Sequence, residues 1–385
     1  MSRPTALFMT APHIRMRFFP LKALLVAAFS IGYVCSSFGA NPHWEKLGTQ
    51  PVYIQQIRAR SEQTLKFIGF EDGRLIAEVD VDGRIGEMSM PVSETMASSL
   101  RFDLAVMEEA KDVIRKEKFS AATELLRPKV YPLIKFHQVP EILRPLHASI
   151  RTLLNCLVSE GQLAEADDLI NRLALDKVDI KYSEIAIRLM QAHLDDKNFT
   201  AAARIAQFVP KHGDYSVNIS PIIKAADALR GAGDYEAVIP LYREIVDIVP
   251  DAARTDIRMW LAYSLVLAER VDEASPIIDS MQEPKSTERA YSLYKLLQGS
   301  RDHRKKNFES ALDLLTRGFV RAQTSYVWVP EMLYLIGDCY AKNDAPKSAR
   351  NVWSEITVLY PESPWATRAA DAAIKLPKER LLDMD

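Results

Sequence analysis

The feature that most limits what this chain can fold into is a three-residue pattern returning at a nearly fixed interval. After a short polar turn comes an apolar residue, then a small residue three positions on and, in most copies, a large one seven positions on. The instances are Phe119/Ala122/Leu126, Leu163/Ala166/Ile170, Phe199/Ala202/Ala206, Tyr235/Val238/Tyr242, Val271/Ala274/Ile278, Phe308/Ala311/Leu315 and Pro346/Ala349/Trp353. Offsets of three and seven put these side chains on one face of an α-helix. Counted at the small residue, the steps are 44, 36, 36, 36, 37 and 38. A small residue at constant phase lets paired helices approach closely, so the pattern predicts helical hairpins stacked one upon another. At 385 residues the chain exceeds one ordinary core, and the period favours a repeat array over several unrelated domains.

These residues resemble the tetratricopeptide repeat (TPR) family, whose unit is a helix-turn-helix of about 34 residues. In the last repeat Leu333, Ile336, Gly337, Tyr340, Ala349, Trp353 and Pro361 fall at that family's spacing. In the fourth, Gly233-Asp234-Tyr235 is similar to its turn and Pro250 to its closing proline. The resemblance covers roughly residues 98 to 376 and implies a mainly α fold, an α-solenoid of about seven hairpins. The stretch Leu359 to Ala366, with Ala369, Ala370 and Ala373 after it, also looks like the ends of bacterial envelope solenoids of the BamD-like and Tol-Pal coordinator types.

The eight extra residues of the first step lie within Arg127 to Pro145. There Pro128, Pro132, Pro140 and Pro145 forbid one uninterrupted helix and predict an irregular connection. Ala366 to Leu376 is expected to close the array, and Lys378 to Asp385 is a polar tail.

Ahead of the array the apolar period switches to two. Leu75, Ala77 and Val79 alternate with Ile76, Glu78 and Asp80, and Asp72-Gly73 and Asp82-Gly83 bracket the run as hairpin turns. Strands are expected over roughly Thr64 to Phe70, Arg74 to Val81 and Arg84 to Met90, with Tyr53 to Arg58 as a candidate fourth. So small a meander must dock on the first helices. Asp80-Val81-Asp82-Gly83 lacks the further ligands and closing Glu of a calcium loop, and the ordinary Asp-Gly turn is favoured.

The first 39 residues hold Arg3, Arg15, Arg17 and Lys22 and no acid, and Ala23 to Val34 is mainly apolar. That run is too short to span a bilayer and suits a signal-peptide core, with cleavage expected after Gly39 or Ala40. Met16 is an alternative start. Gly32-Tyr33-Val34 before Cys35 does not match a lipid-modification box, so no lipid anchor is expected. The resulting division is a leader over 1–39, a β-meander over 40–97, and the array with its closing helix over 98–385. Without the leader's four cations, 45 basic residues face 51 acidic, a net charge of −6 that opposes nucleic-acid binding.

Catalytic signatures do not stand out. There is no His-Glu-x-x-His, Gly-x-Ser-x-Gly, phosphate-cradling glycine loop or Cys-x-x-Cys, and the seven histidines are scattered. Cys156 and Cys339 share a first-helix phase that takes a small buried residue, five repeats apart. No enzyme activity, cofactor or metal is expected.

In the family the concave wall is lined by the first helix of each hairpin. Projected here, that phase selects Arg151 and Asn155, Ile187 and Gln191, Ile223 and Asp227, Met259 and Tyr263, and Tyr334 and Asp338 as candidate partner contacts. Arg151 with Asn155 resembles the opening of a carboxylate clamp, but Glu184, Arg188 and Ser220 stand where its continuation would lie. The expectation is an exported scaffold that holds protein or peptide partners, in the periplasm or beyond, within an envelope-associated complex. The alternative is a cell-wall or carbohydrate binder using the β-meander, with the helices as a spacer.

Overall fold

The computed structural model describes residues 46–58, 61–81, 83–103 and 105–376. The leader over 1–39, Cys35, Asp82 of the second hairpin turn and the tail from Lys378 lie outside these residues. Two compact units are distinguished: residues 1–198 with 208–217, and residues 199–207 with 218–385. The fold is mainly α with a small N-terminal antiparallel sheet, as the two periodicities predict.

In the first unit β1 (Val52–Arg58), β2 (Ser61–Glu71), β3 (Arg74–Val81) and β4 (Arg84–Pro91) form a meander. The candidate fourth strand is therefore present. A short helix α1 (Glu94–Ser99), whose first turn is capped by the Ser93 hydroxyl accepting from the Met96 amide at 3.2 Å, leads into a two-residue strand β5 (Leu100–Arg101). The order is β4-β3-β2-β1-β5, each neighbouring pair antiparallel. Asp72 and Gly73 both take positive φ, 47° and 73°, which the tight turn between β2 and β3 demands. The Asp80 carboxylate accepts from the Gly83 amide at 2.8 Å, so this acid serves its own hairpin.

One sheet face buries Ile54, Leu65, Phe67, Leu75 and Ala77. It docks where the proline-rich connection lies: Ile54, Phe67 and Leu75 line one small gap with Leu133, Phe136, Leu143 and Leu146. The connection itself is a 3-10 segment, Tyr131–Phe136, after a helix that already contains Pro128. Lys135 fastens it to the meander by donating to the Gln50 carbonyl at 2.6 Å.

The helices of this unit are α2 (Ala105–Ile114), α3 (Phe119–Val130), α4 (Arg144–Glu160), α5 (Leu163–Asn171) and α6 (Ile180–Asp195). The second unit contains most of α7 (Phe199–Phe208) and all of α8 (Ser220–Gly231), α9 (Tyr235–Ile248), α10 (Asp251–Leu267), α11 (Val271–Ser280), α12 (Arg289–Arg304), α13 (Phe308–Phe319), α14 (Val329–Lys342), α15 (Pro346–Leu359) and the closing α16 (Pro364–Lys375). The unit boundary thus falls between the two helices of the third repeat.

The residues that defined the period explain it. Ala122, Ala166, Ala202, Val238, Ala274, Ala311 and Ala349 are all fully buried. Five positions before each, the backbone turns left-handed, at Glu117, Gly161, Lys197, Gly233, Glu269, Lys306 and Asp344. The residue after each donates its amide back five positions: Lys118 to Val113, Gln162 to Leu157, Asn198 to His193, Asp234 to Leu229, Arg270 to Leu265, Asn307 to Asp302 and Ala345 to Tyr340, at 2.8 to 3.2 Å. This is the six-to-one bond of a Schellman helix end, repeated seven times. Only two of the seven sites carry the glycine that the conformation favours. Gly233→Ala should therefore cost about 1 kcal/mol of stability in urea unfolding, since an L side chain there is strained although space around it is free.

Second helices of neighbouring repeats are tied by polar contacts. Arg127 on α3, buried in the interface, pairs with Glu165 on α5 at 2.7 Å and also bonds Gln162 and Glu124, while the Tyr131 hydroxyl donates to Glu165 at 2.7 Å. Burial is the largest influence on Arg127 and disfavours its charge; Glu165 outweighs it and raises the pKa.

Candidate functional site

Of the ten projected contacts, four lie in the first unit and are engaged within it. Arg151 pairs with Glu141 at 2.7 Å and lies 5.4 Å from the Tyr182 ring centre. Asn155 accepts from the Arg188 guanidinium, and Gln191 donates to Asp195 at 2.9 Å. Ile187 is partly buried. Asn155 also borders an open groove of about 440 Å³ lined by Ile114, Phe119, Thr152 and Cys156. The cations at that groove, Lys111 and Arg115, are exposed and paired along their own helix with Glu108 and Asp112. Such pairs contribute little and do not converge on a ligand.

The remaining six are in the second unit. Met259 is 1% exposed and belongs to the core, which corrects its projection as a surface contact. The reason is rotational. One position along a helix turns a side chain by about 100°, and the next residue, Trp260, faces the layer formed by the first helices. Ile223 is partly buried, Asp227 accepts from the Tyr242 hydroxyl at 2.9 Å, and Asp338 accepts from His303 Nε2 at 2.7 Å. Tyr334 lies between Trp353 and Trp365, with ring centres 6.1 and 5.1 Å away.

Tyr263 marks the most developed site. Its hydroxyl donates to Glu331 Oε2 at 2.6 Å. Tyr263 is on α10 and Glu331 on α14, so first helices two repeats apart meet above α12. Trp328, just before α14, meets Trp260 with ring centres 5.8 Å apart and donates Nε1 to the buried Ser292 of α12 at 3.1 Å. Trp260 also packs edge-on against Tyr263, which packs edge-on against Tyr235. The Arg230 guanidinium lies 3.4 Å from the Trp260 ring centre, and its Nη1 is buried without a hydrogen-bond partner. Aromatic rings therefore pack around one buried acid, with Arg230 against the Trp260 ring.

Glu331 is 1% exposed, and among the described residues no ion pair neutralises it. Burial raises its pKa to about 7, against the Tyr263 hydrogen bond and the fields of Arg304 and Arg368, which lower it. Its place in the first turn of α14 adds the favourable end of the helix dipole. Tyr263 is held well above the ordinary tyrosine value, first by burial and then by Glu331. Tyr263 and Glu331 thus form a buried hydrogen-bonded acid pair. Cys156 and Cys339 are buried free thiols raised to about 11 and about 12 by burial, and thiolate chemistry is suppressed at both. Among the described residues no group of three or more His, Cys, Asp and Glu side chains is placed to hold a metal, and no helix is long and apolar enough to cross a membrane.

Trp260, Trp328, Glu331, Arg230 and Arg368 were absent from the projection. The sequence does carry one signal for Glu331, a lone acid inside Val327-Trp328-Val329-Pro330-Glu331-Met332-Leu333.

No family model and no curated protein matches the chain, so the TPR likeness rests on the repeat phase and the hairpins. Solved structures that are similar include the Naa15/Naa10 complex bound to HypK-THB, at 14% identity over 71% of this chain and 39% of that one, with a TM-score of 0.37. The chain thus spans about two fifths of that protein's length. BtubC (BKLC) from P. vanneervenii is similar at 14% identity over 72% of this chain and 96% of that one, with a TM-score of 0.26.

Proposed function

We propose that this chain is a non-catalytic, exported scaffold that holds a protein partner on the first-helix face of its C-terminal unit, within a complex of the cell envelope. The observation that carries the binding surface is the meeting of Tyr263 and Glu331 across α12, ringed by Trp260, Trp328, Tyr235 and Arg230. Aromatic and arginine side chains dominate the energetics of protein interfaces because they bury large areas with few rotamers to fix. Such groups on one helical face suit an extended segment or a helix of a partner. Support for export is the cationic leader with its 12-residue mainly apolar run, Ala23 to Val34.

A photo-crosslinking residue at position 235 or 334 of the full chain, expressed in envelope-bearing cells, should yield a discrete protein adduct. The same residue at Glu355, on the exposed side of α15, should not. Equal labelling at all three positions, or none, defeats the assignment of the surface. Mass spectrometry of the exported chain should show an N-terminus at Ala40 or Asn41. An intact leader in the soluble cell interior defeats export.

A further inference from the structure

The five-stranded sheet ends on β4, and among the described residues nothing pairs with its outer side. We propose that β4 is a docking edge for an extended segment of a partner protein whose residues alternate between apolar and basic. This is independent of the C-terminal reading above and concerns the other unit.

The backbone determines the geometry. Val81 and Arg84 close a two-residue turn, so alternate residues of β4 from Arg84 onward face β3. The intervening Ile85, Glu87 and Ser89 direct their amides and carbonyls away from the sheet. The Ser89 carbonyl accepts from Arg74 Nη2 at 3.0 Å, which shows that this row is open to donors; among the described residues Ile85 and Glu87 have no such visitor. Exposed edges of this length are usually blunted by lysine, an interior proline, a bulge on the edge strand or an inward charge. β4 (RIGEMSMP) has its proline only at the last position, no lysine, and Gly86, Met88 and Met90 on the packed side; its charges are Arg84 at the turn and Glu87 on the opposite face.

Side-chain chemistry selects the occupant. On the packed face Met88 is paired with the buried Ala77 and Met90 with the buried Leu75, yet both methionines are only partly covered. A sixth strand with apolar residues beside them would extend the core by one row. On the other face a charged row runs Lys66, Glu78, Glu87: Lys66 pairs with Glu78 at 2.6 Å, and Glu78 stands directly opposite Glu87. Two adjacent carboxylates with one cation end that row, and like charges directly opposite are unfavourable. A lysine or arginine in the next strand, beside Glu87, restores alternation of sign. Ile85, 76% exposed on this same face, gains cover from the stem of such a side chain.

The test uses the full chain and a dye-labelled, end-capped seven-residue peptide of alternating valine and lysine, read by fluorescence anisotropy. Expected is saturable binding that weakens at least about tenfold with Glu87→Pro, or when the peptide's edge amides are N-methylated. Proline there removes an outward amide and leaves the β3 ladder intact, so the variant should keep its melting temperature. Glu87→Lys, which does not depend on the fold tolerating proline, should shift preference to a valine–glutamate peptide. Binding indifferent to all three changes, or none at millimolar peptide, overturns the proposal. So does slow hydrogen exchange at Ile85 and Glu87 before any peptide is added, which would mean that another part of this chain covers the edge. A concentration-dependent dimer abolished by Glu87→Pro would assign the edge to a second copy instead, and equally overturns it.

Discussion

Gly337→Ala is expected to destabilise the C-terminal unit by about 2–3 kcal/mol in urea unfolding, although alanine is the better helix former by about 1 kcal/mol. The reason is that α14 lies directly on the ring of Trp353. A methyl group at 337 would meet Trp353 Nε1 at 2.3 Å, Cδ1 at 2.6 Å and Cε2 at 2.9 Å. That ring cannot retreat easily, because it is 2% exposed and donates Nε1 to the Tyr334 carbonyl at 3.1 Å. Gly231 supplies the opposite case: it is helical with nothing within 4 Å of the added carbon, so Gly231→Ala should stabilise by up to about 1 kcal/mol. A Trp353→Leu change costs stability through a cavity, yet it also makes room at 337. The double variant should accordingly be less damaged than the sum of the two by at least about 1 kcal/mol. Additive losses would mean that the helix pair is held apart by something other than this contact.

The same contact shows what was legible in the sequence. Gly337, Ala349 and Trp353 were set by local spacing, and close helix crossing is the physical event that spacing records. Gly299 repeats it one unit earlier, where an added methyl would lie 2.6 Å from Leu315. The left-handed turns were less legible, because five of seven are occupied by Glu, Lys or Asp, and the Schellman bond, not glycine, imposes them. The aromatic site was legible only at Tyr263 and Tyr334. Projecting a family phase misses by one residue wherever a helix is rotated, and that substituted the buried Met259 for Trp260. Glu331 and Arg127 were beyond local reasoning altogether, since their partners lie 68 and 38 residues away and only stacking brings them together. β5 escaped for a different reason. Two residues contain no period, and it exists because β1 has a free side.

Glu331 gives a large stability effect that pH can reveal on the acid side of neutrality. Its carboxyl has a folded-state pKa of about 7 against an ordinary 4.5, so the folded chain holds a proton there that the unfolded chain has already released. Below about pH 4.5 both states are protonated and the group contributes no pH dependence. Between about 4.5 and 7 the unfolded state binds fewer protons, so unfolding free energy falls as pH rises. Above about 7 the full penalty stands, about 3 kcal/mol by the conversion of pKa difference to energy. The groups facing it are Tyr263 from α10, with which it exchanges the hydrogen bond, and Arg304 of α12 and Arg368 of α16, which act through their fields. Tyr235 of α9 in turn feels Glu331. Glu331→Gln keeps an acceptor for Tyr263 and abolishes the ionisation. The variant should match the parent near pH 4.5 and exceed it by about 3 kcal/mol at pH 8, measured by urea titration across the range. Tyr263→Phe should push the other way, because it removes the hydrogen bond that holds the carboxyl pKa down, and its stability should fall further at pH 8 than at pH 5. Parallel pH profiles for parent and Glu331→Gln would mean that the carboxylate finds a counter-charge or water, and the acid among these aromatic rings would then be an ordinary ionised one.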